Sequence, residues 1–321
     1  MIISRTPFRI SFAGGGSDLK EHYKKYGGAV LSVTINKYIY LSMHPYFEKD
    51  KYILKYSEIE KTNSVNNIQH RIIKQVFKNY NIKGVDFNSS ADIPSGTGLG
   101  SSSAFTAGLI NLCNSYNNEK ISKEDIANEA CDVEINQLNC PIGKQDQYAS
   151  TYGGLNFILF NQDCSVTVKK TNMIEWKKDK LENNLLLFYL GKTRSADKVL
   201  NTYNSNNNNL IKMVDLAYSL NSSLSKNNID SVGDILHTGW MYKKELSSEI
   251  SNTDIDYYYN LAIKNGAEGG KLLGAGGGGF LLFYVKEENQ ERLRNVLSVL
   301  KEVSFKFEDK GASIIYDDDD R

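Results

Sequence analysis

Apolar residues recur along this chain with two periods. Phe8, Ile10 and Phe12 share one face of an extended segment while Arg9 and Ser11 share the other, the alternation of a strand. Ala29, Leu31, Val33 and Ile35, followed by Ile39, Leu41 and Met43, repeat that period and predict two antiparallel strands turning at Asn36-Lys37. Val85, Phe87, Ser89 and Ala91 predict another. Helical spacing appears in Ile68, Ile72, Ile73, Val76, Phe77 and Tyr80, which predicts a helix over 67–80 packed on the sheet. It returns after residue 104 (Ala104, Phe105, Gly108, Leu109, Leu112, Cys113, Tyr116). A further helix is expected from about Lys123 to Leu138, opened by Ser122-x-x-Asp125 as a capping box, with Ile126, Ala127, Ala130 and Val133 as its apolar stripe. Tyr152 to Phe160 reads as a strand, and a first domain is expected to close near residue 175, leaving 176–321 as a second. There, Leu185 to Leu190 is apolar throughout, the mark of a strand covered on both faces. Residues 231–250 predict an amphipathic helix, Phe280 to Tyr284 a strand, Val296 to Leu300 a helix and Val303 to Phe307 a strand. Asn204 to Asn209 reads as a solvated loop and Asp317 to Asp320 as a solvated tail.

A chain of 321 residues has room for two domains and a substantial core. Its 38 basic and 38 acidic side chains cancel, which removes the broad positive field that nucleic acid or an anionic membrane surface would call for. The start lacks the layout of a signal peptide, and no apolar run has membrane-spanning length. Four cysteines (Cys113, Cys131, Cys140, Cys164) show no zinc spacing and suit buried thiols in a reducing compartment. A cytoplasmic protein is expected.

Candidate chemistry centres on Pro94-Ser-Gly-Thr-Gly-Leu-Gly-Ser-Ser-Ser-Ala104, between the strand ending near Ala91 and the helix after it. A helix start offers unpaired N–H groups and positive partial charge, and glycines let backbone approach a ligand, so phosphate is a natural guest. A Walker A loop needs a lysine that this stretch lacks, and a dinucleotide fingerprint needs glycine at Ser101 or Ser103. A tight turn with a serine cap stands as the alternative. Ala13-Gly14-Gly15-Gly16-Ser17-Asp18 offers either backbone contact to a ligand, with Asp18 accepting hydroxyls, or a bend capped by Asp18. Glu134 falls on or beside an apolar helix stripe, where a carboxylate needs a cation, either an arginine or a metal. Asp146 sits in a polar turn. Arg194, after the apolar strand, can meet an anionic substrate or form a surface ion pair. His237 is expected to be structural. Gly276 to Gly279, directly before a strand, suggest backbone contact with a ligand or a plain hinge.

Taken together, these stretches resemble the three motifs of the GHMP kinases. Arg-Thr-Pro-Phe-Arg9-Ile-Ser-Phe-Ala-Gly-Gly-Gly-Ser-Asp18 is similar to the first, Pro94 to Ser103 to the second, and Gly-Gly-Lys-Leu-Leu-Gly-Ala-Gly-Gly-Gly-Gly-Phe-Leu to the third. Val133-Glu134 with Gly143-Lys-Gln-Asp146-Gln resembles the segment between them. Galactokinases carry an acidic-His pair where this chain has Gly15 and Gly16, which argues against galactose. Within the family the resemblance is to the group acting on D-glycero-D-manno-heptose 7-phosphate. It implies an α+β fold with an N-terminal ATP-binding α/β domain, a ferredoxin-like C-terminal domain and the site between them. It implies ATP and Mg²⁺ as cofactors and phosphorylation of the sugar's C1 hydroxyl, in a route to activated heptose for surface polysaccharide. Backbone of Pro94, Gly96, Thr97, Gly98, Leu99, Gly100, Ser101, Ser102 and Ser103 would hold nucleotide, and Ser102 and Glu134 the metal. Asp146 and Arg9 would be catalytic. Gly15, Gly16, Asp18, Lys144, Arg194, Gly276, Gly277 and Gly278 would hold the sugar phosphate. The expected partners are that substrate and ATP, with no nucleic acid and no membrane; a homodimer is left open. The alternatives are another sugar 1-kinase of the family and a silent ATP- and sugar-binding sensor.

Overall fold

A computed structural model describes residues 1–192, 199–200, 202–203 and 208–318. The first sheet is built around the long strand β2 (Gly28–Pro45), paired antiparallel along its length with β1 (Ile2–Ala13). On its other side, β5 (Val85–Ala91) pairs with residues 39–45 and β6 (Leu155–Phe160) with residues 28–33. Short strands β3 (Tyr52–Lys55) and β4 (Ile59–Thr62) extend the sheet beyond β5, and β7 (Val166–Lys170) beyond β6. The Ser101–Tyr116 helix lies against β1 and β2, and its buried face (Ala104, Ala107, Leu109, Leu112) joins one core with Phe8, Ile10, Val33 and Leu41.

The second sheet has the order β11-β8-β10-β9, from β8 (Leu185–Tyr189), β9 (Ala267–Leu272), β10 (Phe280–Val285) and β11 (Lys301–Glu302). All its pairings are antiparallel. Helices Asn208–Ser225, Val232–Lys244 and Thr253–Lys264 connect β8 to β9, and Glu287–Val296 connects β10 to β11. Numbered within this sheet, the order is fourth, first, third, second, which is the ferredoxin-like arrangement. The uninterrupted apolar run of β8 has a simple cause. Leu185 and Leu187 enter the main core, while Leu186 and Phe188 enter a second core with Trp240, Tyr259, Phe283 and Leu293.

Several expectations need correction. Asn36 and Lys37 do not turn the chain. Pro7 pairs with Tyr38 and Phe8 with Ile35, so the two polar residues form a bulge that β2 absorbs while staying one strand of 18 residues. The predicted helix 123–138 is α-helical only over Lys123–Cys131; Asp132–Gln137 is a π-turn, closed by Leu138 N–H donating to Val133 O at 2.9 Å. The helix expected over 231–250 ends at Lys244, with Leu246 and Ile250 buried in the turns after it. The helix expected to continue through Val296–Leu300 is Glu287–Val296 and stops there, and the strand expected at 303–307 is reduced to one bridge, Ile35 to Phe307. Asp317 is not in a free tail. It ends β12 (Ser313–Asp317), which pairs antiparallel with the start of β1 after the second sheet is complete.

Candidate active site

A cavity of about 910 Å³ opens between the first sheet and the second unit. Its glycine-loop wall runs from Pro94 to Ser103 with two absences. Thr97 is buried with its hydroxyl donating to Pro94 O (2.9 Å), and Leu99 lies in the core. Gly100 caps the Ser101–Tyr116 helix in the left-handed region (φ 77°) and supplies no side-chain acceptor, so the first-turn N–H groups are left to a ligand. Gly98 (φ 88°) does more than make room for phosphate. A Cβ there would stand 2.5 Å from Leu273 O, because the loop packs backbone to backbone on the segment after β9. Gly98→Val is therefore expected to destabilise the apoprotein by about 1–3 kcal/mol from backbone strain alone. Denaturant unfolding without nucleotide measures this. Unchanged stability with lost nucleotide binding would instead make Gly98 purely a ligand contact.

The π-turn places Glu134 in the interior at 1 % exposure, facing this helix start. One carboxylate oxygen accepts from the Ser102 hydroxyl (2.7 Å) and the other from the Gln147 amide (2.8 Å). Burial pushes its pKa up, and among the described residues none of its hydrogen-bond partners is cationic. A buried carboxylate with neutral partners and an adjacent hydroxyl oxygen is a donor set that fits a hard divalent cation such as Mg²⁺. Among the described residues no arginine meets Glu134: Arg9 on the cavity wall is bound to Asp146.

On the same wall Arg9 projects from the polar face of β1. Its Nε and Nη2 donate to the two oxygens of Asp146 (2.8 and 2.7 Å), and Nη1 donates to Gly98 O (2.6 Å). Asp146 opens the Gln145–Tyr152 helix and lies so close to the loop that a Cβ on Gly100 would sit 3.2 Å from its Oδ2. Asp18 is buried nearby, accepting from Gly16 N–H (3.0 Å) and Gln145 N–H (3.1 Å). Burial, then the charge of Asp146, raises its pKa to about 6. Gly15 and Gly16 line the cavity beside it, with Ser11 and Gln145, which hydrogen-bond each other at 3.0 Å.

Other expected residues are elsewhere. Lys144 turns away from the cavity: its Nζ donates to Cys164 O (2.8 Å) and lies over the Tyr23 ring. Gly276 to Gly278 serve packing rather than the cavity wall. A Cβ on Gly276 would meet Ile250 Cα at 2.6 Å, one on Gly278 would meet Lys192 O at 3.1 Å, and Gly277 N–H donates to Ile250 O. The wall at that point is made by Gly274 and Ala275 instead. Arg194 lies outside the described residues. His237 is structural as expected, its Nδ1 hydrogen-bonded to Tyr259 Oη at 2.8 Å. Sequence reasoning missed Lys243 and Lys271, two buried lysines on the cavity wall from the second unit. The available signal was a lysine between Gly270 and Leu272 in a segment otherwise apolar or glycine.

Residues 67–154 match the GHMP kinases N terminal domain, and residues 220–302 match the GHMP kinases C terminal domain. A D-glycero-alpha-D-manno-heptose 7-phosphate kinase of Campylobacter jejuni is 31% identical over 322 residues, covering 92% of this chain and 93% of that protein. The crystal structure of a D-glycero-D-manno-heptose 1-phosphate kinase from Bacteroides thetaiotaomicron superposes with a TM-score of 0.81 at 24% identity, covering 99% of this chain and all (100%) of that one. A mevalonate kinase structure superposes with a TM-score of 0.75 at 21% identity, over 97% and 100% of the two chains. Among the described residues no helix is long and apolar enough to cross a membrane.

Proposed function

This chain belongs to the GHMP kinases, and on that premise we propose that it transfers the γ-phosphoryl group of ATP to the anomeric C1 hydroxyl of D-glycero-D-manno-heptose 7-phosphate, giving the 1,7-bisphosphate. That the chain is an ATP-dependent phosphotransferase with a sugar hydroxyl as acceptor follows from the family. The specific sugar rests on the near full-length likeness to the Campylobacter enzyme. The observation that carries the chemistry is the Arg9–Asp146 pair, held against the glycine loop in the cavity that Glu134 and Ser102 also line.

ATP phosphates would lie against the backbone of Gly96 to Ser103, at the helix start. Asp146 would accept the hydrogen bond, and then the proton, of the C1 hydroxyl. Arg9 fixes that carboxylate by a bidentate contact and carries positive charge toward the moving phosphoryl group. Asp18, with Gly15 and Gly16, would hold sugar hydroxyls. Mg²⁺, held by Glu134 and the Ser102 hydroxyl oxygen, would neutralise phosphate charge. Most of the rate should come from positioning, since phosphoryl transfer asks little covalent chemistry of the protein. A silent sensor is disfavoured by having both carboxylates in place.

A coupled ADP-release assay over sugars and sugar phosphates tests the acceptor. Heptose 7-phosphate is expected to exceed unphosphorylated heptose in kcat/KM by roughly tenfold to a hundredfold or more, the worth of one charge-assisted contact. Equal rates would overturn the heptose-phosphate assignment and leave a sugar 1-kinase of another specificity.

A further inference from the structure

Lys271 is a cavity-lining cation with no assigned role. It lies on β9 in register with Leu282, whose side chain belongs to the core shared with the first sheet. It therefore points out of its own unit, and its Nζ donates to Phe12 O of β1 at 3.0 Å, three residues from Arg9 along that strand. The Val232–Lys244 helix packs closely on β9 here: a Cβ on Gly269 would lie 1.9 Å from Gly233 O.

Among the described residues this ammonium has a carbonyl partner and no counterion. Arg9, facing it from β1, is positive. The Val232–Lys244 helix brings Lys243, whose Nζ donates to Leu272 O (3.2 Å) and to Gly274 O, and His237, bound to Tyr259 of the Thr253–Lys264 helix. Across β10 stands Leu282. The described carboxylates of the same cavity have other partners: Asp146 binds Arg9, Asp18 accepts from two backbone N–H groups, Asp92 from Tyr38 N–H, and Glu134 from Ser102 and Gln147. Burial and the Arg9 charge lower the Lys271 pKa to about 7.

A buried lysine on the wall of a cavity read as receiving phosphates, with nothing anionic beside it among the described residues, has its natural counterion in the ligand. We propose that the Lys271 ammonium binds a phosphate oxygen of a substrate, either on the γ-phosphoryl group of ATP or on the acceptor's own phosphate. The inference rests on the phosphoryl-transfer reading above, though not on the identity of the sugar. It carries a signature that a structural lysine lacks: the arriving anion favours the charged amine, so binding takes up a proton near neutral pH.

The experiment is calorimetric binding at about pH 7.5 in two buffers of different ionisation enthalpy. The ligands are a non-hydrolysable ATP analogue with Mg²⁺ and, separately, heptose 7-phosphate. With a free-state pKa of about 7, the ligand that meets Lys271 should bring uptake of roughly three quarters of a proton. Lys271→Met should abolish that uptake and weaken that ligand about tenfold to a hundredfold. Lys271→Arg, always charged, should bind it without uptake. Because Asp18 also titrates near this pH, the difference between wild type and Lys271→Arg is the deciding quantity, and it needs no Lys271→Met protein. Uptake with the nucleotide analogue assigns the lysine to the moving phosphoryl group; uptake with the sugar phosphate assigns it to the acceptor. If neither ligand shows Lys271-dependent uptake, the proposal falls. If heptose 7-phosphate neither binds nor reacts, the acceptor assignment falls alone, and the nucleotide titration still decides the role of Lys271.

Discussion

Replacing Asp146 by Asn lowers kcat by about two to four orders of magnitude, the usual worth of a positioned general base. Two losses combine. The amide cannot take the hydroxyl's proton, and its NH₂ end repels one of the two guanidinium donors now 2.8 and 2.7 Å from the carboxylate. Arg9 would keep only its contact to Gly98 O and a single oxygen at residue 146. Nucleotide affinity should change little, because the proposed phosphate contacts are backbone N–H groups of Gly96 to Ser103 and not the Asp146 carboxylate. Single-turnover phosphoryl transfer, paired with binding of a fluorescent ATP analogue, makes the measurement. A near-normal kcat would show that the hydroxyl gives its proton directly to the phosphate and would remove Asp146 from the chemistry.

Glu134→Gln should raise the Mg²⁺ concentration needed for half-maximal turnover at least tenfold while leaving metal-free stability equal or slightly higher. The physical reason is the absence of a cation among the carboxylate's partners, so neutralising it removes a desolvation cost rather than an ion pair. The substituted amide can be accommodated. Ser102 can still donate to its oxygen, and Gln147 can rotate to offer Oε1, which has no partner in the wild-type arrangement. The pH dependence follows from the sign of the shift. The folded-state pKa of Glu134 lies above the ordinary carboxylate value, so its charged form opposes folding. Metal-free wild type should lose stability as pH rises through that raised value, and the variant should lose less. Added Mg²⁺ should restore the wild type selectively. A variant with wild-type Mg²⁺ dependence, or one that unfolds readily, would make Glu134 a structural group.

Much of this was legible in the chain. The alternation at Phe8, Ile10 and Phe12 placed Arg9 on the opposite face, where it meets the site. The strand, glycine loop and helix around Gly98 followed from period and turn chemistry, and the double burial of β8 from its lack of polar positions. What escaped depended on neighbours far away in sequence. A bulge and a turn have the same composition, so Asn36-Lys37 could not declare which it was until β1 supplied the register. The π-turn at Asp132–Gln137 shifts helical phase without any residue that marks it. Lys144 adjoins Asp146 in sequence, yet the helix start between them sends its side chain toward Cys164. Glycines 276 to 278 satisfy backbone packing, a demand indistinguishable in sequence from ligand approach. Lys271 stayed hidden because its meaning comes from β1, nearly the whole chain away.

The pairing of β12 with β1 carries a consequence for biosynthesis. Ile2 meets Asp317 and Arg5 meets Ser313, so the edge formed by residues 2–5 of β1 lacks its partner until residues 313–317 have been made. During synthesis the amino-terminal half emerges with an open strand edge, the kind of template on which nascent chains mispair. Because β12 follows β8 to β11 in the chain, the first sheet gains this edge strand only after the second sheet's strands have been made.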